Sequence, residues 1–379
     1  MTANLFPLGI ALGAAFCNRT QERASLAQNL IEGRHLFLSA PRRYGKTSLM
    51  LQVLQDLDNT KDHPAVAWCS MDFLISYDEK SIQDILLEGI GQITAKIIPF
   101  HKKAVQQLQK AFTSLKPELS ISVGGPRIRF FPSGQSKEGI IDALEGLDKL
   151  AGEQGVRAII LMDEFQQIST TKNTLSVEAA IRHAVERAKN TSYIFSGSNR
   201  HMLMHLFEDN SRPLYHLCDR LSLNRISFDE YKTFIQAASQ NHWAKSLDDE
   251  IISQILTLTV CHPYYVNLLC SRLWRLKTPP DLNQVGNIWQ EYVLEERNRF
   301  SREVSALSPN QRAVLAALAA SPTDKPLSKD FLSSVRLAGT SVAQATQVLL
   351  ENDTIYRDEN ETLRLLDPAL ESYLLSLTC

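Results

Sequence analysis

Paired cysteines are missing from this chain. Its six cysteines, Cys17, Cys69, Cys218, Cys261, Cys270 and Cys379, are scattered, and no two form a C-x-x-C pair. That spacing argues against a zinc framework or a disulfide scaffold and predicts a reducing, cytoplasmic setting. A charge excess is missing too: 40 Lys and Arg stand against 42 Asp and Glu, a formal net charge of −2. So balanced a chain has no general attraction for nucleic acid or for an anionic membrane. No apolar run approaches the ~20 residues of a membrane span. The stretch from Leu5 to Phe16 is apolar, but no Lys or Arg precedes it, Pro7 and Gly9 break it, and bulky Phe16 sits where a signal peptide needs a small residue. Internal repeats and low-complexity segments are absent as well. What is there is an ordinary globular chain of 379 residues, 44% hydrophobic and 22% charged. Its length suggests roughly two or three domains.

One stretch carries chemistry. Leu36-Phe37-Leu38-Ser39 reads as a strand, Leu49 to Leu54 as a helix, and Ala40-Pro41-Arg42-Arg43-Tyr44-Gly45-Lys46-Thr47-Ser48 lies between them. Strand, loop, Gly-Lys-Thr and helix is the setting of a phosphate-binding P-loop. Its backbone N–H groups converge on phosphate oxygens, and the helix N-terminus favours negative charge. Lys46 would reach the outer phosphates, and the Thr47 hydroxyl would complete a magnesium shell. The motif's first glycine is Ala40 here. Alanine suits that place if its φ is negative, and Pro41 biases it toward extended backbone.

A partner motif follows downstream. Ala158-Ile159-Ile160-Leu161-Met162 is an apolar strand ending in Asp163-Glu164. The aspartate can hold magnesium opposite Thr47, and the glutamate can deprotonate the attacking water. Ser192 to Asn199 is a further buried strand, expected between the P-loop strand and the acidic one, with Ser198 or Asn199 aimed at the γ-phosphate. The pattern also predicts a strand at Val66–Asp72, a long helical stretch from about Ser81 to Leu115, a helix near Gly139–Gln154, another at Val177–Lys189, and a last strand at Arg220–Leu223. Glu118–Val123 and Arg127–Phe131 alternate polar and apolar residues around Gly124-Gly125-Pro126, which predicts an inserted β-hairpin. From about Ser227 to Phe300 the pattern is helical. Ser308-Pro309-Asn310-Gln311 opens the first of three further helices, which precede a two-stranded wing at Ile355–Arg357 and Leu363–Leu366.

These residues resemble the archaeal-type ATPases that also occur widely in bacteria, which belong to the signal-transduction P-loop ATPases of the AAA+ group. The resemblance spans nearly the whole chain. It rests on Phe16-Cys17-Asn18-Arg19, Pro41-Arg42-Arg43-Tyr44-Gly45-Lys46-Thr47, Met162-Asp163-Glu164-Phe165-Gln166, Phe195-Ser196-Gly197-Ser198 and His262-Pro263-Tyr264-Tyr265. It implies an α/β P-loop NTPase with a parallel sheet, a helical lid and a C-terminal winged helix, with ATP or ADP and Mg2+ bound between sheet and lid. The parts expected are an N-terminal segment over 1–20, an ATPase core over 21–224 with the hairpin near 118–131, a lid over 225–304 and a winged helix over 305–379. It also implies that Phe16, Asn18 and Arg19 lie near the adenine, and that His262 and Pro263 face the nucleotide. The chain departs from the family twice: Cys261 stands where the family has Gly, and Leu217 where it has Arg. The second departure takes away the arginine the family carries there; Arg212 and Arg220 stand as the remaining finger candidates, with structural ion pairing the stronger reading of both.

Three functions fit. The first is a nucleotide-dependent switch that hydrolyses ATP slowly, with a protein partner or self-association. The second is ATP-regulated DNA binding through the winged helix. Against it, residues 305–379 hold six Lys and Arg against nine Asp and Glu, and the third helix offers Ser341, Gln344 and Gln347 but no cation. The third is a nucleotide-dependent scaffold that does not turn over. A metalloprotease is excluded at His201 and His205, because Met202 stands where the acid belongs.

Overall fold

The computed structural model describes residues 4–60, 65–98, 104–122, 125–132, 136–171 and 174–377. Its contacts group into two units, Arg19–Asn224 and Met1–Asn18 with Arg225–Cys379.

The first unit is built on five strand-forming runs, four of them apolar and the last, Asp219-Arg220-Leu221-Ser222, polar and largely exposed. They form strands β1 (Leu36–Ser39), β2 (Val66–Asp72), β5 (Arg157–Asp163), β6 (Thr191–Gly197) and β7 (Asp219–Ser222), while β3 (Leu115–Ser122) and β4 (Gly125–Pro132) pair separately as an antiparallel hairpin. The main sheet has the order β2-β5-β6-β1-β7, and every pairing in it is parallel. Parallel strands covered on both faces read as continuous apolar runs, which is why β6 is buried along its whole length. The sheet therefore sets β6 between the P-loop strand β1 and the acidic strand β5.

Helices α1 (Thr20–Ile31), α2 (Lys46–Asn59), α3 (Glu79–Ile97), α4 (Ala104–Ala111), α5 (Ser136–Gln154), α6 (Thr174–Val185) and α7 (Arg200–Glu208) complete this unit. Phe165, Phe195 and Phe207 meet with ring centroids 4.7 to 6.1 Å apart and lock the end of β5 to β6 and α7. Such aromatic pairs add roughly 0.5–1.5 kcal/mol each beyond the area they bury. The long helix expected from Ser81 to Leu115 is interrupted. Ile98 caps α3 with extended backbone, as the residue before Pro99 should, and chain 115–122 is already strand. The hairpin is longer than expected on both sides, and its turn residues 123–124 lie outside the described residues.

The second unit is helical: α8 (Phe228–Trp243), α9 (Asp249–Thr259), α10 (Pro263–Leu273), α11 (Leu282–Glu295) and α12 (Arg297–Ala306). The N-terminal segment is fastened to it. Phe6 is buried against Phe234 and Trp274, and Asn267 donates to the Pro7 carbonyl at 2.9 Å. Helices α13 (Pro309–Ala320), α14 (Lys329–Val335) and α15 (Gly339–Glu351) then precede the wing strands β8 (Ile355–Arg357) and β9 (Leu363–Leu365). A closing helix α16 (Pro368–Ser376) was not foreseen. Asp367 caps it, accepting from the amides of Ala369 and Leu370. No helix of the described residues is long and apolar enough to cross a membrane.

Candidate functional site

The P-loop lies where β1 hands over to α2. Gly45 is left-handed, with φ of +83°, which explains why that motif position is a glycine. Ala40 is buried and does not take a positive φ, so its methyl brings no backbone strain. Arg43 is left-handed at +65°. Arg42 and Arg43 are exposed, whereas Pro41, Tyr44 and Ser48 are buried. The buried Lys46 ammonium donates to the Ala40 and Pro41 carbonyls at 2.8 and 3.0 Å.

Thr47 joins the loop to the acidic strand. Its Oγ1 donates to Asp163 Oδ2 at 2.9 Å. Ser196 donates to the other oxygen of Asp163 at 2.8 Å, and the Glu164 amide donates to that same Oδ1 at 3.0 Å. Glu164 is itself left-handed, with φ of +52°, just past the end of β5. Its Oε2 accepts from Ser198 Oγ and from Gln166 Nε2, both at 2.7 Å. Three elements thus converge: α2 brings Thr47, β5 brings Asp163 and Glu164, and β6 with the residue after it brings Ser196 and Ser198.

Asn199, the other residue expected to aim at phosphate, caps α7 by accepting from the Met202 amide at 3.0 Å. Ser196 and Gln166 stand in the motifs quoted from the sequence, which assigned them no role. Ser196 becomes visible once β6 lies beside β5, because that register brings it level with Asp163. Gln166 follows the acidic pair at a spacing that sequence alone does not interpret.

Magnesium bound by a P-loop takes a hydroxyl, a carboxylate and the substrate's own phosphates rather than a full protein cage. Thr47 and Asp163 fit that donor set: both offer hard oxygens, and they already lie within hydrogen-bond distance. No group of three or more His, Cys, Asp or Glu side chains among the described residues could hold a metal by itself.

Arg19, expected near adenine, is 2% exposed and committed elsewhere. Its guanidinium donates to the carbonyls of Tyr44 and Asn224, both at 3.0 Å, and to Glu22 at 2.9 Å. Phe16 ends a short 3-10 turn, and Asn18 is exposed with φ of +26°. His262 caps α10, its Nδ1 accepting from the Tyr264 amide at 3.2 Å, and Pro263 is the first residue of that helix. Just before them Val260 and Cys261 are both left-handed, at +48° and +52°. The turn therefore keeps the conformation glycine would supply although glycine is absent. Arg212 pairs with buried Glu178, and Arg220 with Glu208 at 3.0 Å. None of the described cysteines forms a disulfide.

Residues 298–376 match the family described as "Probable winged helix domain". Among solved structures, the chain is similar to a Walker-type ATPase of Pyrococcus abyssi, with a TM-score of 0.65 and 18% identity over 98% of this chain and 99% of that one. It is also similar to the ORC2 protein of Aeropyrum pernix, solved as ADPNP-ADP complexes, with a TM-score of 0.56 and 12% identity over 99% and 98%. No curated protein matches it in sequence. Fold and comparisons agree: this is an α/β P-loop ATPase fold with a parallel sheet and a C-terminal winged helix.

Proposed function

We propose that this chain is a magnesium-dependent ATPase working as a nucleotide-controlled switch. The observation that carries the reading is the hydrogen-bonded series from Thr47 through Asp163 to Glu164 and Ser198. A P-loop hydroxyl, an aspartate and an oriented glutamate are the parts phosphoryl transfer to water requires. Thr47 and Asp163 would hold magnesium, which neutralises charge on the transferring phosphoryl group. Lys46 would exchange the loop carbonyls for phosphate oxygens. Water attacks the γ-phosphorus, the bond to the β,γ-bridging oxygen breaks, and Glu164 takes the proton. Ser198 and Gln166 both hold one oxygen of Glu164, which leaves the other to accept that proton.

Phe16, Asn18, His262 and Pro263 are proposed as adenine-side contacts, and Arg19 as a brace of the loop. In this reading residues 225–304 serve as the lid, and residues 305–379 as a winged helix that contacts protein. The acidic balance of the winged helix favours protein over DNA. The ADPNP and ADP bound by the ORC2 relative support the choice of an adenine nucleotide.

The test is phosphate release from ATP by the purified protein with and without magnesium, beside Lys46→Ala. Magnesium-dependent release that Lys46→Ala abolishes supports the proposal. Absence of release together with absence of ATP binding would overturn it. Tight binding without release would select the scaffold reading instead.

A further inference from the structure

Gly197 closes β6 directly before Ser198, and it is the one residue of that strand without a side chain. Its backbone does not call for glycine, because its φ is not positive. Close approach explains it instead. A Cβ built on Gly197 would lie 2.0 Å from Gln166 Oε1 and 3.0 Å from Gln166 Cδ. The glycine leaves the room that the Gln166 amide occupies.

That amide is not seated for stability. Gln166 is buried, and its Oε1 has no hydrogen-bond partner among the described residues. An orphaned buried acceptor destabilises a fold, so its presence needs another reason. The other end of the amide supplies one, because Nε2 donates to Glu164 Oε2 at 2.7 Å. A reversed amide would set two acceptor oxygens at that distance, so the chemistry fixes which end faces Glu164. The chain holds both partners in place. Glu164 turns left-handed into a 3-10 turn over Phe165–Thr170, and Phe165 is wedged among Phe73, Phe195 and Phe207. Gly197 is fixed beside Ser39 at the end of β1.

We propose that Gly197 is the seat of the Gln166 amide, and that Gly197 and Gln166 together are positioning residues for Glu164. The inference rests on Glu164 being the base of the proposed ATPase. β6 then sets that base twice: Ser198 donates to Oε2 directly, and Gly197 admits the amide that donates to the same oxygen. Stability is given up for this orientation, as is common where a group is held for chemistry. An alanine at 197 would meet the far end of a flexible side chain rather than backbone. The fold can therefore yield at little cost: the amide moves aside, and Glu164 loses a donor.

The experiment uses the full chain and steady-state phosphate release from ATP, with denaturation midpoints measured beside it. Gly197→Ala should lower kcat by about tenfold, leave KM for ATP within about twofold and keep the midpoint of wild type. Gln166→Met, which keeps the bulk and discards the amide, should lower kcat alike, with a midpoint at or above wild type because the orphaned oxygen is gone. In a Gln166→Ala background, adding Gly197→Ala should change kcat by less than about twofold, since no amide is left to displace. Losses that multiply instead, a wild-type kcat in Gly197→Ala or Gln166→Met, or a fall in kcat matched by a fall in midpoint overturns the proposal. Wild type that releases no phosphate would overturn the ATPase reading and this inference with it. Turnover that is insensitive to both positions overturns the inference alone.

Discussion

Ser198 Oγ donates to Glu164 Oε2 at 2.7 Å, and this bond holds the proposed base against the end of β6. If Glu164 is the base, Ser198 positions it. Ser198→Ala should lower kcat by about tenfold, in line with loss of one oriented hydrogen bond to a charged group, and leave KM for ATP within about twofold. Steady-state kinetics check this. A rise in KM at unchanged kcat would make Ser198 a binding residue instead.

Arg19 ties the P-loop carbonyl of Tyr44 to the carbonyl of Asn224, where the first unit ends. The buried Tyr44 carbonyl and the more exposed Asn224 carbonyl share one guanidinium. Arg19→Met, which keeps the apolar stem, should cost about 2–3 kcal/mol of stability, because both acceptors lose a charged donor. It should also weaken ADP binding by loosening the loop. Denaturant unfolding and a calorimetric ADP titration read the two effects separately.

Cys261 is left-handed at +52°, beside a left-handed Val260. A side chain in that region costs on the order of 1–2 kcal/mol, which glycine avoids. Cys261→Gly should therefore raise the denaturation midpoint, with a net gain of about 0.5–1 kcal/mol after the lost thiol burial. The thiol is not a reactive one: burial pushes its pKa up to about 11, against the pull of Arg225.

Glu178 is buried, and burial pushes its carboxyl up to about 7 from 4.5, although the Arg212 guanidinium pulls the other way. Folding then takes up a proton between those two values. The contribution is fully present below pH 4.5, falls as pH rises toward 7, and is lost above it. The decline is at most about 3 kcal/mol. Glu178→Gln should lack that slope, whatever its absolute stability. Unfolding free energies at pH 5 and pH 7.5, compared between wild type and variant, decide the matter; parallel slopes would place the glutamate's ionisation elsewhere.

Much of this was legible in the residues. Gly45-Lys46-Thr47 after an apolar run and Asp163-Glu164 closing another are local patterns, and each strand they predicted is in the sheet. The wing and its three helices were legible because Ser308 and Ser328 cap helices in recognisable ways. What stayed hidden depended on contacts distant in sequence. Ser196 reaches Asp163 only because β6 lies beside β5, and Arg19 acts on carbonyls at 44 and 224. The long helix was overdrawn because periodicity outvoted Pro99. Helix α16 was missed although Asp367-Pro368 is a cap followed by a first-turn proline.

If Glu164 activates water, the site should still bind ATP without it. The most direct measurement is a single-turnover assay of magnesium and ATP on Glu164→Gln beside wild type, with bound nucleotide identified after rapid desalting. Wild type should yield ADP and phosphate, and the variant should retain intact ATP while its turnover falls by about a hundredfold or more. Hydrolysis by Glu164→Gln at the wild-type rate would contradict it.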